Sequence, residues 1–448
     1  MQDTLFVDVA VVGGGIMGSA AAYHCARLGL RTALLERFEL GCHARGSSHG
    51  PTRIVRRSYP SPLYTSLMRR AYELWADAEA EVAGCAGLEG PLLESVGGGL
   101  DICAGGSTVL AELRAACAAA GAPLEDVSPA DARRRYGLEL RDDEVAIFQR
   151  DTCVAAASRA VAAFQALARS RGAELLSHAE VESVVRSGTA GEERAWDVAT
   201  ADGRRVRARR VVVCPGPWAA PLLRRLFGLE LPSLRVWQCT TMFFRRREGG
   251  QPPLEALPVL INYGGRPLWS RRNGGGGEVE AAVAEDDVDA DADADADAPI
   301  YSCPVVGDPS RAKFAIHRGV ETSADGRDFA PDEAGTVAPV QAWLRARLPN
   351  FDAESPEDKS TCLYTMTPDE DFIIDELDGE HAGIVVACGF SGHGFKFGPL
   401  IGAWLAAMAS CRGADASVEA LGPGVIVAEA RAAFSLSRAA LRLRKGAA

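Results

Sequence analysis

The chain has 448 residues, 47% of them hydrophobic and 24% charged, enough for two or three structural units with sizeable cores. Its 48 Lys and Arg against 60 Asp and Glu give a net charge of −12. Ten of the acidic residues fall within 278–298, so the remainder is near neutral and lacks the basic stripe of a nucleic-acid surface. No apolar run approaches the roughly 20 residues of a membrane span. The 12 scattered cysteines, with no CxxC pair, read as reduced and mostly buried thiols of an intracellular, soluble protein.

In chain order, Phe6–Val12 is a short β-rich run of the kind buried in a parallel sheet. Gly13, Gly14 and Gly15 follow. The Ala-rich stretch Ile16–Leu28 then predicts a helix ended by Gly29, and Arg31–Leu35 a second strand closing on Glu36. Ser61–Ala83 carries apolar residues at helical spacing, with Ser61 placed to cap the helix and Pro62 at its first position. Further helices are expected over Ser107–Ala120 and Ala155–Arg171, and strands over Ala173–His178, Val181–Arg186 and Arg209–Cys214. This alternation points to the α/β class. From 230 to 350 strands and turns dominate, which suggests a second layer of different character. Inside it, 274–298 joins four glycines to an Asp-Ala alternation. Such a segment cannot bury apolar surface and should be a disordered insertion in a surface loop.

Gly13-x-Gly15-x-x-Gly18 lies directly after a strand and opens a helix. Gly13 permits a tight turn, Gly15 lets the backbone approach a pyrophosphate, and Gly18 lets the helix lie close on the sheet. Ile16 and Met17 begin the helix, whose free N–H groups and positive potential suit phosphates. Glu36, followed by Arg37, stands where a carboxylate can accept hydrogen bonds from a ribose. Strand, turn, helix and terminal acid together indicate a dinucleotide site of Rossmann type. Their spacing does not separate FAD from NAD.

Three further segments narrow the choice. The first is Arg45-Gly46-Ser47-Ser48-His49-Gly50-Pro51-Thr52-Arg53-Ile54-Val55-Arg56, followed by Tyr59. The second runs from Cys362-Leu363-Tyr364-Thr365 through Met366-Thr367-Pro368-Asp369-Glu370. The third is Gly389-Phe390-Ser391-Gly392-His393-Gly394-Phe395-Lys396. These closely resemble the monomeric sarcosine oxidase family of the D-amino acid oxidase-like superfamily, which includes N-methyltryptophan, L-pipecolate and fructosyl amino acid oxidases. The wording is most similar to its eukaryotic sarcosine/pipecolate branch. The resemblance covers nearly the whole chain apart from the acidic insertion.

The resemblance implies an FAD-binding domain of Rossmann type over 1–86, 149–225 and 363–420. A mixed-sheet α+β substrate domain is expected over 87–148 and 226–362, with 274–298 as an insertion within it. It implies covalent flavin attachment to Cys362. Arg53 is expected beside the flavin, with Arg56 and Lys396 holding the substrate carboxylate, for which a planar guanidinium fork and a point charge are suited. Lys313 is expected to activate O2 by a fixed positive charge, and His317, Tyr301 and Tyr364 to line the substrate pocket, with Ser302 the other residue that can occupy the tyrosine's position. Ser47, Ser48, His49, Thr52, Val181, Gly216, Gly389, Gly392, His393 and Gly394 are expected around the cofactor. Arg57 reads as a surface charge. No metal site is implied.

The implied reaction moves a hydride equivalent from the carbon next to nitrogen of a small secondary amino acid, of the sarcosine or L-pipecolate type, with O2 reduced to H2O2 by a monomer. A dehydrogenase using another acceptor, a fructosyl amino acid oxidase and a non-catalytic flavin-binding protein are the alternatives. The expected location is the cytoplasm or, in a eukaryote, the peroxisome, although Gly446-Ala447-Ala448 is not an SKL-type ending.

Overall fold

In the computed structural model the described residues are 4–84, 88–187, 195–247, 257–263, 299–410, 414–422, 425 and 427–441. The expected insertion at 274–298 and the last seven residues lie outside them. Leu5–Val12 is the central strand of a sheet that has eight strands among the described residues, parallel to Thr32–Leu35 on one side and to Arg205–Val213 on the other. Both of its faces are covered, which is why it reads as an unbroken apolar run rather than an alternating one. Val9 and Val11 pack under the helices Ile16–Arg27, Ala157–Ser170 and Gly398–Ala409. Ala10 and Val12 face Ala219, Leu223 and Phe227 of the helix Ala219–Phe227. Small residues set the depth of the helical layer: a Cβ on Gly402 would lie 2.5 Å from that of Ala20.

Arg205–Val213 begins four residues before the strand expected from sequence. Its first half pairs antiparallel with Ala195–Thr200 and keeps Arg205, Arg207 and Arg209 off the core, so the charges hide the alternation. Its second half pairs parallel with Ile384–Cys388. The helix Pro62–Val82 forms as expected with Pro62 at its start, but Ser61 makes no capping hydrogen bond; its buried Oγ has no partner.

A second sheet has nine strands among the described residues and is antiparallel except where Val259–Asn262 runs parallel to Gly99–Ala104. Phe244, Phe314, Phe351 and Leu344 form the core beneath it. Its strand Asp358–Met366 lies along Arg235–Arg245 from Asp358 to Met366 and so spans both sides of the expected division at 362/363. A small sheet of Arg53–Val55, Cys153–Ala155 and Leu93–Ser95 completes the described strands. Among the described residues no helix is long and apolar enough to cross a membrane.

Candidate functional site

A cavity of about 710 Å³ runs from the glycine turn of the first sheet to strands of the second. At the turn, Gly13 has φ +102°, and a Cβ there would collide with the Cys214 carbonyl oxygen. A Cβ on Gly18 would collide with the Gly13 carbonyl oxygen, so that position too is closed to any other residue. Gly15 differs: an added Cβ would meet only Ser48 Oγ, at 3.1 Å. That side of the turn opens on the cavity, where backbone can approach a ligand. Ile16 N–H donates to Ser48 Oγ at 3.1 Å, and Gln165 Nε2 donates to the Gly14 carbonyl at 3.0 Å.

Glu36, the residue after Thr32–Leu35, is buried. Gly14 N–H donates to its Oε2 at 2.6 Å and Phe38 N–H to its Oε1 at 2.9 Å, while His43 Nε2 lies 3.2 Å from Oε1. Burial raises its pKa, but the hydrogen bonds outweigh that and hold the carboxyl below its ordinary value. Glu36 therefore braces the turn as well as facing the cavity. Arg37 is paired with Glu180 and Asp325, and Gly216, with φ +54°, opens the turn Gly216–Trp218; both line the cavity. Val181 also lines it, and its carbonyl accepts from Arg225 Nη2 at 2.7 Å.

In the lining of the cavity, backbone carbonyls hold two cations. Arg53 donates to the carbonyls of Thr52 (2.9 Å), Ser47 (3.0 Å) and His49 (2.6 Å). Lys313 Nζ donates to the same Thr52 carbonyl at 3.0 Å. Burial lowers the Lys313 pKa; Cys303 raises it and the Arg53 cation lowers it further. Thr52 does not line the cavity: its Oγ1 donates to the Pro304 carbonyl, and its part is to anchor both cations. His49 Nε2 is buried without a hydrogen-bond partner, and burial and Arg53 bring its ring down to about 3.

Cys362, Tyr364, Tyr301 and His317 form the wall on the second sheet. Tyr301 and Tyr364 hydroxyls are 2.9 Å apart, and the His317 and Tyr364 rings 5.4 Å apart. Ser302 is buried and does not line the cavity. Gly392, with φ +75°, makes room for the Tyr364 ring, which a Cβ would strike. Gly389 and Gly394 are held as tightly: a Cβ would lie 2.6 Å from Thr367 Cγ2 and 2.6 Å from Phe390 Cβ respectively. Burial, Lys396 and Arg56 lower His317 to about 4, so it is a neutral ring.

At the far end, Arg56 and Lys396 are both buried and both line the cavity. Arg56 Nη1 donates to Asp101 Oδ1 at 3.1 Å, to Tyr263 Oη at 2.9 Å and to the Ser58 carbonyl. Burial opposes its charge, but Tyr263 and Asp101 more than compensate and raise its pKa. Lys396 Nζ donates to Tyr59 Oη and to the His393 carbonyl, each at 2.7 Å; burial and Arg56 place its pKa well below the usual lysine range. Arg57, expected as a surface charge, keeps 15% of its side chain exposed and pairs with Asp151 at 3.3 Å.

The cavity thus brings together every sequence-expected residue except Thr52 and Ser302, the alternative to Tyr301. It also uses residues that the sequence reading missed: Gln165, His43, and, behind the wall, Asp101 and Tyr263. Asp101 is the one charge in the run Gly99–Ala104, and Gln165 the one polar residue on the buried face of Ala157–Ser170; those are the signals that could have found them. Among the described residues no group of three or more His, Cys, Asp or Glu could hold a metal. The donors do fit FAD. An open Gly15 backbone, a helix N-terminus and an ionised Glu36 suit its dinucleotide part, and the unpartnered His49 Nε2 awaits a polar group from a ligand.

A family model described as FAD dependent oxidoreductase matches residues 8–408. A probable sarcosine oxidase of Arabidopsis thaliana is 30% identical, over 96% of this chain and 92% of that protein. A monomeric sarcosine oxidase of Streptomyces avermitilis is 32% identical, over 90% and 93%. Among solved structures, NikD, an amino acid oxidase of nikkomycin biosynthesis, superposes with a TM-score of 0.73 over 94% of this chain and 98% of its own, at 22% identity; that likeness concerns the fold.

Proposed function

The chain belongs to the FAD dependent oxidoreductase family, and we propose that it oxidises a small secondary amino acid of the sarcosine or L-pipecolate type, with O2 as the acceptor and H2O2 as product. One observation carries this reading: the dinucleotide turn and the buried cations Arg56, Lys396 and Lys313 face one continuous cavity. FAD, when bound, supplies the two-electron acceptor for the hydride equivalent leaving the carbon next to nitrogen.

The protein's share is recognition and electrostatics. Arg56 makes its hydrogen bonds to Asp101, Tyr263 and Ser58 through Nη1, so its remaining N–H groups serve the substrate carboxylate together with Lys396. Tyr301, Tyr364 and the neutral His317 wall the amine without a full negative charge, and the nearby cations disfavour an ammonium. The amine is thereby held in the neutral form that oxidation requires. Lys313 offers a fixed positive charge where negative charge develops on oxygen. Cys362, whose side chain lies in the cavity wall, is the proposed point of covalent attachment for the flavin. We take the acting species to be a monomer, the state in the name of the Streptomyces relative.

Two measurements test this. Sarcosine and L-pipecolate should bleach the flavin anaerobically and release peroxide in air; a panel of secondary amino acids that left the spectrum unchanged would refute the assignment. Acid-precipitated protein should stay yellow and lose its colour in Cys362→Ala; colour released from the parent protein by acid would refute the attachment.

A further inference from the structure

Beside the main cavity lies a second one of about 30 Å³, the size of a single water, lined by Tyr59, Tyr64, Glu112, Glu370 and His393 among others. His393 is the one described residue that lines both cavities. Its bonds fix a direction. Nε2 lies 3.1 Å from the Glu370 carbonyl, which can only accept, so Nε2 carries the proton and the neutral ring presents Nδ1 as an acceptor. Tyr59 Oη, 3.4 Å from Nδ1, therefore donates to it, and itself accepts from Lys396 Nζ at 2.7 Å. The donors run one way: Lys396, then Tyr59, then His393.

Glu370 stands at the far end. Its φ of +59° is left-handed for a non-glycine residue, and its buried Oε2 has no hydrogen-bond partner. The titratable groups around it are Asp369 and Asp371 on the same turn, Glu112 from Thr108–Ala119, and Tyr59, Tyr64 and His393 across the small cavity. Arg438 pairs with Asp369 and Tyr64 with Asp371.

We propose that Lys396, Tyr59 and His393 form a proton path from the amine to the water-sized cavity, and that the Glu370 carboxylate is its outer terminus. The proposal rests on the functional reading above, because it gives an amino acid's ammonium group its way to lose a proton before oxidation. A group holding the carboxylate is within reach of the nitrogen one carbon away. Lys396 takes a proton from the substrate nitrogen as it gives one to Tyr59 Oη. Tyr59 passes its own to His393 Nδ1, and His393 releases one through water to Glu370. One N–H bond is lost at the substrate, one O–H bond forms at Glu370, and no electrons move. The groups suit these roles. Burial and Arg56 keep Lys396 a ready donor, and burial and Lys396 lower His393 so that it transmits a proton without keeping it. Burial, with Asp369 and Asp371, raises Glu370 to about 8, high enough to hold a proton near neutrality.

The test is anaerobic flavin reduction of the holoenzyme by saturating sarcosine and L-pipecolate across pH. The parent rate should rise through about 8 as Glu370 ionises. Glu370→Gln should move that rise upward and slow reduction about tenfold near neutrality, with recovery at high pH where the amine arrives unprotonated. Tyr59→Phe should behave alike, and the double variant should be no slower than either single one. If Glu370→Gln gives no folded holoenzyme, Tyr59→Phe is judged by the same criterion. A variant profile that superimposes on the parent, or falls by one factor at every pH, overturns the path while leaving the function intact. A parent that neither substrate bleaches removes the function and the path together.

Discussion

At the Gly13–Gly18 end the cavity wall is backbone; at the Arg56–Lys396 end it is side-chain charge. The first end works mainly through backbone. It needs two positions without a Cβ, a helix start and one braced carboxylate, all within 24 residues of sequence. The second end gathers Arg56, Asp101, Tyr263 and Lys396 from four distant segments and keeps them almost wholly from water. Backbone recognition is tied to one local conformation and fails sterically. Charge recognition depends on tertiary packing and fails electrostatically, because a buried ion without its partner is costly.

That contrast can be broken first at the glycine end. Gly13→Ala adds a Cβ against the Cys214 carbonyl at φ +102°, and Gly18→Ala adds one against the Gly13 carbonyl. Each should yield colourless, poorly folded protein, seen as loss of the flavin spectrum. At the charged end, Asp101→Ala leaves Arg56 buried and uncompensated and should destabilise the fold by about 3–5 kcal/mol, read as a lower denaturation midpoint. The double variant Asp101→Ala with Arg56→Met should recover much of that stability while losing carboxylate recognition. Recovery without loss of KM for the amino acid would remove Arg56 from the substrate site.

Lys313→Met should slow reoxidation by O2 about a hundredfold, with flavin reduction little changed, in stopped-flow mixing with oxygen. The sign of its pH dependence follows from its lowered pKa. Lys313 is charged below that value and neutral above it, so oxygen reactivity should fall as pH rises, and at lower pH than for an ordinary lysine. The mildest change is Glu36→Gln, which weakens the bonds from Gly14 and Phe38 and should cost about 1.5–3 kcal/mol in thermal denaturation of the holoenzyme. Because the folded carboxyl is held below its ordinary value, that contribution is complete above the unfolded glutamate range. It is lost as pH falls through the lowered folded value. Parent and variant should therefore converge in acid.

The same contrast explains what could be read from sequence. The glycine turn was legible because its parts are consecutive and each has a local reason. The helices followed from apolar spacing, yet the expected Ser61 cap is absent, since a cap depends on side-chain placement that periodicity does not encode. Arg205–Val213 was shortened because three exposed arginines interrupt its apolar run. At the charged end Arg56, Lys396, Lys313 and Cys362 were named through motif resemblance, and the structure brings them to one cavity. Asp101 was not, because its link to Arg56 arises only when Gly99–Ala104 pairs with Val259–Asn262 and delivers Tyr263 beside both. Arg57, read as a surface charge, is partly buried and ion-paired for a related reason: its neighbour Asp151 comes from a distant turn.

The proposed function requires a flavin and an amino acid carboxylate to share one cavity. Its most direct test is an anaerobic titration of the purified yellow protein with sarcosine and L-pipecolate and, separately, with the methyl amide of each, followed by visible absorbance. Bleaching by at least one acid and far slower bleaching by its amide is the expected result. No bleaching by any of these compounds, or equal bleaching by an acid and its amide, would contradict it.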